Sequence, residues 1–317
     1  MATATRPTTL KTAIRTYSYT KGLKDGTVTV PGIQFEHIEI NPIIGAFRRM
    51  CRGLEFDVAE MAITTYLTAR AYNKPFTALP VFVLRQFHHA PIVYNVNAGV
   101  KAPMDLEGKK VGVRAYTVTT GVWARGILAT EYGVDLSKVT WVLADEEHVE
   151  EYHKDYPANV VYQAGANLGA MVASGELAAA IGVGRVDSSD VKPLIPNARE
   201  AEAAWYRKTG LYPINHTVVV KDSLLQTDPT LAPRLFDAFK EAKAMFLKQL
   251  STGAEFSGEE QALAQRRSLV GDDPLPYGLA RNRKAIEAII QFAQDQKILP
   301  HKVSPEEMFA SNTLNLE

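Results

Sequence analysis

Lys109-Lys-Val-Gly-Val-Arg-Ala-Tyr-Thr-Val-Thr-Thr-Gly-Val-Trp-Ala-Arg125 is the stretch whose reading decides the fold class. Lys110 to Val113 is a short, largely β-branched run that reads as a strand, and Gly121 to Tyr132 has the composition and length of a helix. Between them lies Arg114-Ala-Tyr-Thr-Val-Thr-Thr120, with Thr119 or Thr120 as the expected N-cap. Strand, loop and helix in that order form the unit of α/β layers, whose ligand sites lie beyond the carboxyl ends of the strands.

The same alternation extends outward. Downstream, strands are expected at Val139 to Leu143, Ala178 to Val183 and Ile214 to Val220, and helices at Asn167 to Ser174, Trp205 to Thr209, Pro233 to Gln249 and Arg281 to Gln296. Upstream, Leu10 to Tyr17 alternates like a strand, and Thr27 to Ile40 holds two strand-like runs around Pro31-Gly32. Ile44 to Cys51 follows as a helix, Phe56 to Ile63 as an apolar strand, and Thr64-Thr65 as the cap of a helix from Tyr66 to Tyr72. Strands at Ala78 to Leu84 and Pro91 to Asn95 complete the first unit, and a second begins near Asn97.

Composition narrows the function classes. The 317 residues amount to about two domains, and 46% hydrophobic with 22% charged residues exclude a disordered chain. Thirty-five basic residues balance thirty-five acidic ones, so no global field draws the chain to nucleic acid or an anionic membrane. Cys51, the single cysteine, excludes an intramolecular disulfide framework. The first residues lack the apolar run of a secretory signal, which leads to the expectation of a cytoplasmic protein. The glycine fingerprints of dinucleotide and P-loop sites are missing.

Glu55-Phe-Asp-Val-Ala-Glu-Met61, Lys109 to Val113, Thr119 to Arg125 and Glu131-Tyr-Gly-Val134 together resemble the type II periplasmic-binding-protein fold. With Pro80-Val-Phe82, Arg85, Phe87-His-His89, Tyr212-Pro-Ile-Asn-His216 and Asp273-Pro-Leu-Pro-Tyr-Gly278, the chain is similar to the 4,5-dihydroxyphthalate decarboxylase family from about Ile14 to Leu314. The resemblance implies two α/β lobes joined by two crossover strands. Residues 1–95 and 217–317 would form the first lobe and residues 96–216 the inserted second, with the ligand cleft between. It further implies a decarboxylase that takes a small aromatic dicarboxylate; no cofactor is expected, and no metal, because no HxH or HxxxH pair supports one. One carboxylate of 4,5-dihydroxyphthalate would leave as CO2 when the ring carbon bearing it is protonated, giving 3,4-dihydroxybenzoate. Matched position by position, Lys21 and Arg85 correspond to basic residues of the family, Glu60 to an acid in a strand, His89 to the crossover motif and Asn215-His216 to the return crossover. Two departures stand out: His88-His89-Ala90 replaces Arg-His-Ser, and Tyr19 stands where a basic residue is common.

Delivering a proton to a ring carbon asks for an acid that titrates near neutrality, which makes His89 and His216 the candidates and Glu60 the group that orients one of them. Both histidines could instead be satisfied core residues, and Glu60 could be a structural ion-pair partner. Thr117, Thr119 and Thr120 ahead of a helix, with Arg114 and Tyr116 on the same turn, suit a carboxylate, although capping alone explains one threonine. Thr65 joins the candidate substrate contacts, and Trp123 is a candidate ring-stacking wall. Arg125 reads as a surface residue, and Arg48, Arg49 and Arg52 as a solvated face. Three rival readings stay open. His89, His216 and Glu60 could hold a metal, the cleft could capture an aromatic carboxylate without turning it over, or the chain could be a pyrimidine-precursor synthesis enzyme of the same fold.

Overall fold

A computed structural model of the protein describes residues 7–252 and 255–317. Eleven strands are present among them: β1 Thr8–Ala13, β2 Ile33–His37, β3 Val58–Ala62, β4 Phe76–Arg85, β5 Ile92–Asn95, β6 Lys110–Val113, β7 Thr140–Leu143, β8 Val160–Tyr162, β9 Ala179–Ile181, β10 Val191–Pro193 and β11 Ile214–Lys221. They form a five-stranded sheet in the order β2-β1-β3-β11-β4 and a six-stranded sheet in the order β10-β5-β9-β6-β7-β8. The helices are α1 Lys21–Lys24, α2 Ile44–Gly53, α3 Ile63–Ala71, α4 Thr119–Tyr132, α5 Leu168–Ser174, α6 Ala198–Thr209, α7 Asp222–Thr227, α8 Leu231–Ser251, α9 Gly258–Val270 and α10 Leu279–Asp295. None of them is long and apolar enough to cross a membrane.

Both sheets are mixed. Parallel β1, β2 and β3 are joined by β11, which runs antiparallel to β3 and β4, while β6, β7, β8 and β9 are parallel and β5 is antiparallel to β9 and β10. The central strands are the most apolar: every residue of β3 is buried, including Glu60. Of the two runs expected in Thr27 to Ile40, only the second pairs as a strand, and Val28 and Val30 of the first are buried side chains on an irregular segment.

The crossovers lie earlier than expected. β5 pairs with β9 and β10, so residues 92–95 belong to the second sheet and the chain crosses over residues 86–91. It returns before Ile214, since Ile214 to His216 already pair with β4 or β3 in the first sheet. Helix α10 follows the first sheet in sequence but docks on α4. Phe292 meets Trp123 edge-on at 5.5 Å, and the Gln296 amide accepts from Arg125 Nε at 2.7 Å and donates to the Val122 carbonyl at 2.9 Å. Arg125, read as a surface residue, is instead fully buried, with its guanidinium 4.1 Å over the Tyr116 ring and 5.2 Å from that of Trp141.

The α4–α10 approach requires Gly126, because a Cβ there would lie 2.1 Å from Cδ2 of Phe292. Gly126→Ala should therefore lower stability by about 1–3 kcal/mol despite the better helix propensity of alanine. Urea unfolding measures this, and an unchanged or raised midpoint would mean that Phe292 moves aside freely.

Candidate functional site

A cavity of about 170 Å³ opens between the sheets. Ile44, Phe47, Ala62, Thr65, Asn215 and His216 line it from the first sheet and its helices, and Arg114, Val118, Thr119, Thr120, His148, Ile181 and Gly182 from the second. An apolar cavity of about 150 Å³ is enough to hold benzene, so one substituted ring is the right scale of ligand.

Strand register creates the central feature. Val218 of β11 stands opposite Glu60 of β3, so His216, two residues earlier, is the diagonal neighbour of Glu60 on the same face. Its Nδ1 lies 2.6 Å from Glu60 Oε1, and its ring packs edge-on against Phe47 at 5.0 Å. Glu60 is wholly buried and also accepts from the Tyr17 hydroxyl at 2.7 Å and the Arg15 backbone N–H at 3.0 Å. Burial alone would raise its pKa. The hydrogen bond and charge of His216, with the Arg15 and Tyr17 donors, outweigh that and hold the carboxyl below its ordinary range. A carboxylate at Glu60 leaves His216 Nε2 as the ring nitrogen free for the cavity.

Tyr17 was not singled out in the sequence, because a tyrosine at the end of a strand-like run looks like packing. Its ring does stack on Tyr19 at 4.7 Å, and Tyr19, which replaces a basic residue, is buried and donates to the Val83 carbonyl at 2.7 Å. Tyr17→Phe removes one of the donors to a buried carboxylate, and should cost about 1.5–3 kcal/mol of stability. Thermal unfolding above the carboxylate range checks it; a wild-type midpoint would show that Glu60 finds another donor.

The second-sheet wall carries one cation, Arg114, which is ion-paired. Helix α4 begins at Thr119 with Val118 as N-cap and no side-chain cap, so neither Thr119 nor Thr120 caps it as expected. The Thr119 hydroxyl instead lies 2.8 Å from that of Thr64, joining α3 to α4, while Thr120 lines the cavity at the first turn. Thr64 and Thr65 likewise sit inside α3, whose N-cap is Ala62. Arg114 Nη1 pairs with Asp145 at 2.8 Å, and Arg48 Nη2 reaches the other oxygen of the same carboxylate at 3.1 Å, so two cations share one anion. Arg52 pairs with Glu146 at 3.1 Å and Glu150 at 2.7 Å. Arg48 and Arg52 thus bridge from α2 to the segment after β7, and of the expected solvated face only Arg49, paired with Glu55, stays on its own side.

His148, also unremarked in the sequence, belongs to this wall. Its Nδ1 is 2.9 Å from Thr65 Oγ1, and its ring stands edge-on to Phe47 at 5.8 Å. Burial, then the Arg114 and Arg48 charges, push its pKa down to about 3, so the imidazole is neutral. Nothing in Asp145-Glu-Glu-His148 signals this, because the contact is set by α3 of the other sheet.

Several expected site residues are elsewhere. His89 is buried edge-on to Trp205 at 5.5 Å, with its pKa pushed down to about 4 by burial, and does not line the cavity. The His89, His216 and Glu60 metal set therefore does not assemble, and no group of three potential ligands occurs among the described residues. Arg85 is buried, donating to Asn282 at 2.5 Å and to the Tyr212 carbonyl, with its cation 4.2 Å over the Tyr212 ring. Lys21 is exposed on α1. The Tyr116 N–H donates to Glu147 at 2.6 Å and its ring lies under Arg125, while the Thr117 hydroxyl is taken by the same carboxylate. Trp123, expected as a wall, is buried and donates to the Ile214 carbonyl at 2.9 Å. Asn215 does line the cavity, with its Oδ1 accepting from the Gln86 N–H at 3.1 Å.

Comparison with known proteins gives two kinds of likeness. The chain is 30% identical over 316 residues to a 4,5-dihydroxyphthalate decarboxylase of Comamonas testosteroni, covering 95% of this chain and 96% of that one. It is 32% identical over 211 residues to a protein of the same name from Pseudomonas putida, covering 62% of this chain and 81% of that one. No protein-family model matches. Among solved structures, the periplasmic aliphatic sulphonate binding protein SsuA of Escherichia coli superposes with a TM-score of 0.55 at 13% identity, over 96% of this chain and 92% of that one. The desulfurization enzyme DSZB gives 0.54 at 15% identity, over 97% and 98%. These likenesses show the fold, a two-lobed periplasmic-binding-protein-like α/β architecture.

Proposed function

The chain belongs to the 4,5-dihydroxyphthalate decarboxylase family, and we propose that it removes one carboxylate from a dihydroxylated phthalate in the cavity between its two sheets, releasing CO2 and 3,4-dihydroxybenzoate. The observation that carries this reading is the pairing of buried Glu60 with part-exposed His216, which opens onto a ring-sized cavity whose other wall carries Arg114.

The carboxylate that remains on the ring is held by Arg114, by the free N–H groups of the first turn of α4 and by Thr120, while the Asn215 amide donates to a substrate oxygen. Held so, the ring presents its other carboxylate-bearing carbon to His216. The doubly protonated imidazole, its Nδ1–H fixed on Glu60, gives its Nε2 proton to that carbon. The C–C bond then breaks, its electron pair restores the aromatic ring, and the carboxylate departs as CO2. Solvent supplies a new proton to His216, so one proton is consumed for each CO2 released. No electrons enter or leave the sum of these steps. A positioned acid contributes about 10²- to 10⁴-fold, and burial of the ring with orientation supplies the rest.

Purified protein incubated with 4,5-dihydroxyphthalate should release CO2 and 3,4-dihydroxybenzoate in equal amounts. Saturable binding of the same compound without any product would establish a non-catalytic binding protein instead.

A further inference from the structure

We propose that His148 recognises a ring hydroxyl of the ligand, and so selects hydroxylated over unsubstituted aromatic carboxylates. This rests on the reading of the cavity as an aromatic carboxylate site. His148 and His216 enter the cavity from different sheets, yet both pack edge-on against Phe47, at 5.8 and 5.0 Å, so a ring that touches one imidazole comes within reach of the other. Each imidazole has its Nδ1 already engaged, His216 on a carboxylate and His148 on the buried hydroxyl of Thr65. The difference between those partners divides the work. Glu60 gives His216 a counter-charge for a proton in transit. Thr65 gives His148 none, and the Arg114 and Arg48 cations disfavour charge on its ring.

A neutral imidazole beside two arginines is a poor anchor for a carboxylate, which those arginines bind better. It fits a phenol. A phenolic hydroxyl both donates and accepts, so it pairs with Nε2 in either tautomer of the ring, whereas a carboxylate only accepts. Thr65, locked inside α3, fixes which nitrogen faces the ligand.

Calorimetric titration with 3,4-dihydroxybenzoate and with benzoate, neither of which is turned over, tests the assignment. The wild type should prefer the hydroxylated ligand by about tenfold, and His148→Ala should erase that preference while benzoate affinity changes less than about twofold. His148→Gln, which keeps a group able to donate and accept, should retain part of it. Thr65→Val serves as the second variant should His148→Ala fail to fold, and should weaken the preference by freeing the ring. A preference that survives in His148→Ala, or equal loss for both ligands, overturns the role of His148. Equal binding of both ligands by the wild type overturns it while leaving the aromatic carboxylate site intact, and binding of neither overturns that reading as well.

Discussion

His216→Asn should reduce kcat by at least about a hundredfold while the protein still folds and still binds aromatic carboxylates. Asparagine can keep an N–H hydrogen bond to Glu60, but its amide does not give up a proton near neutrality. Its loss should therefore fall on kcat, with KM little changed. His89→Asn is the contrast. That histidine lies against Trp205 and outside the cavity, so its replacement should leave kcat near wild type and act, if at all, on stability. Glu60→Gln should follow His216→Asn in rate, because a neutral amide cannot balance a charged imidazole. It should also alter the acid limb of the stability profile. Glu60 has its folded pKa lowered, so its contribution is present above the ordinary carboxylate range and is lost as pH falls through the lowered value; the glutamine variant lacks that limb. Steady-state kinetics on the three variants decides the matter, and near-normal kcat in His216→Asn would move proton delivery to another group.

Arg114→Glu should raise KM by about a hundredfold or more with a smaller effect on kcat. Arg114 lines the cavity and shares Asp145 with Arg48, so the reversal sets a second carboxylate beside Asp145 where the ligand's carboxylate is to bind. Arg114→Lys should be intermediate, since an ammonium keeps the charge but not the two-pronged donor geometry. Unchanged KM in the glutamate variant would remove Arg114 from the ligand site.

The parts of the fold that could be read from the sequence were those with a strong period or a buried apolar run. The β6–α4 unit, β3, β11, α8 and α10 lie close to their expected positions, because α8 and α10 bury one clear stripe while β3, β11 and α4 are nearly continuous buried runs. The expectation for α6 began at Trp205, seven residues after its start, because Ala198-Arg-Glu-Ala-Glu-Ala-Ala has helix-forming residues but buries only that tryptophan in the whole helix. Three-residue β8 and β10 are too short to show any alternation.

For the site, what could be read was a residue type that stood out in its local context, not the contact it makes. Glu60 stood out as a carboxylate in an apolar strand and His216 as its counterpart at the return crossover, and register joins them. Arg114, Thr119 and Thr120 were visible as a turn ahead of a helix, although Val118 caps it. His89 and Arg85 carried family motifs, but both pack inward at the crossover, Arg85 on Tyr212 and His89 on Trp205. Tyr17 and His148 had no local signal: a tyrosine ending a strand-like run and a histidine in an acidic loop look ordinary, and only their contacts with Glu60 and Thr65, 43 and 83 residues away, mark them.

The most direct test of the account is a crystal structure with phthalate, which has both carboxylates but lacks the hydroxyls that activate the ring. The account predicts phthalate between the sheets, with one carboxylate on Arg114 and the first turn of α4 and the carbon bearing the other facing His216 Nε2. Phthalate bound outside this cavity, or inside it with His216 turned away from both carboxylate-bearing carbons, would contradict it.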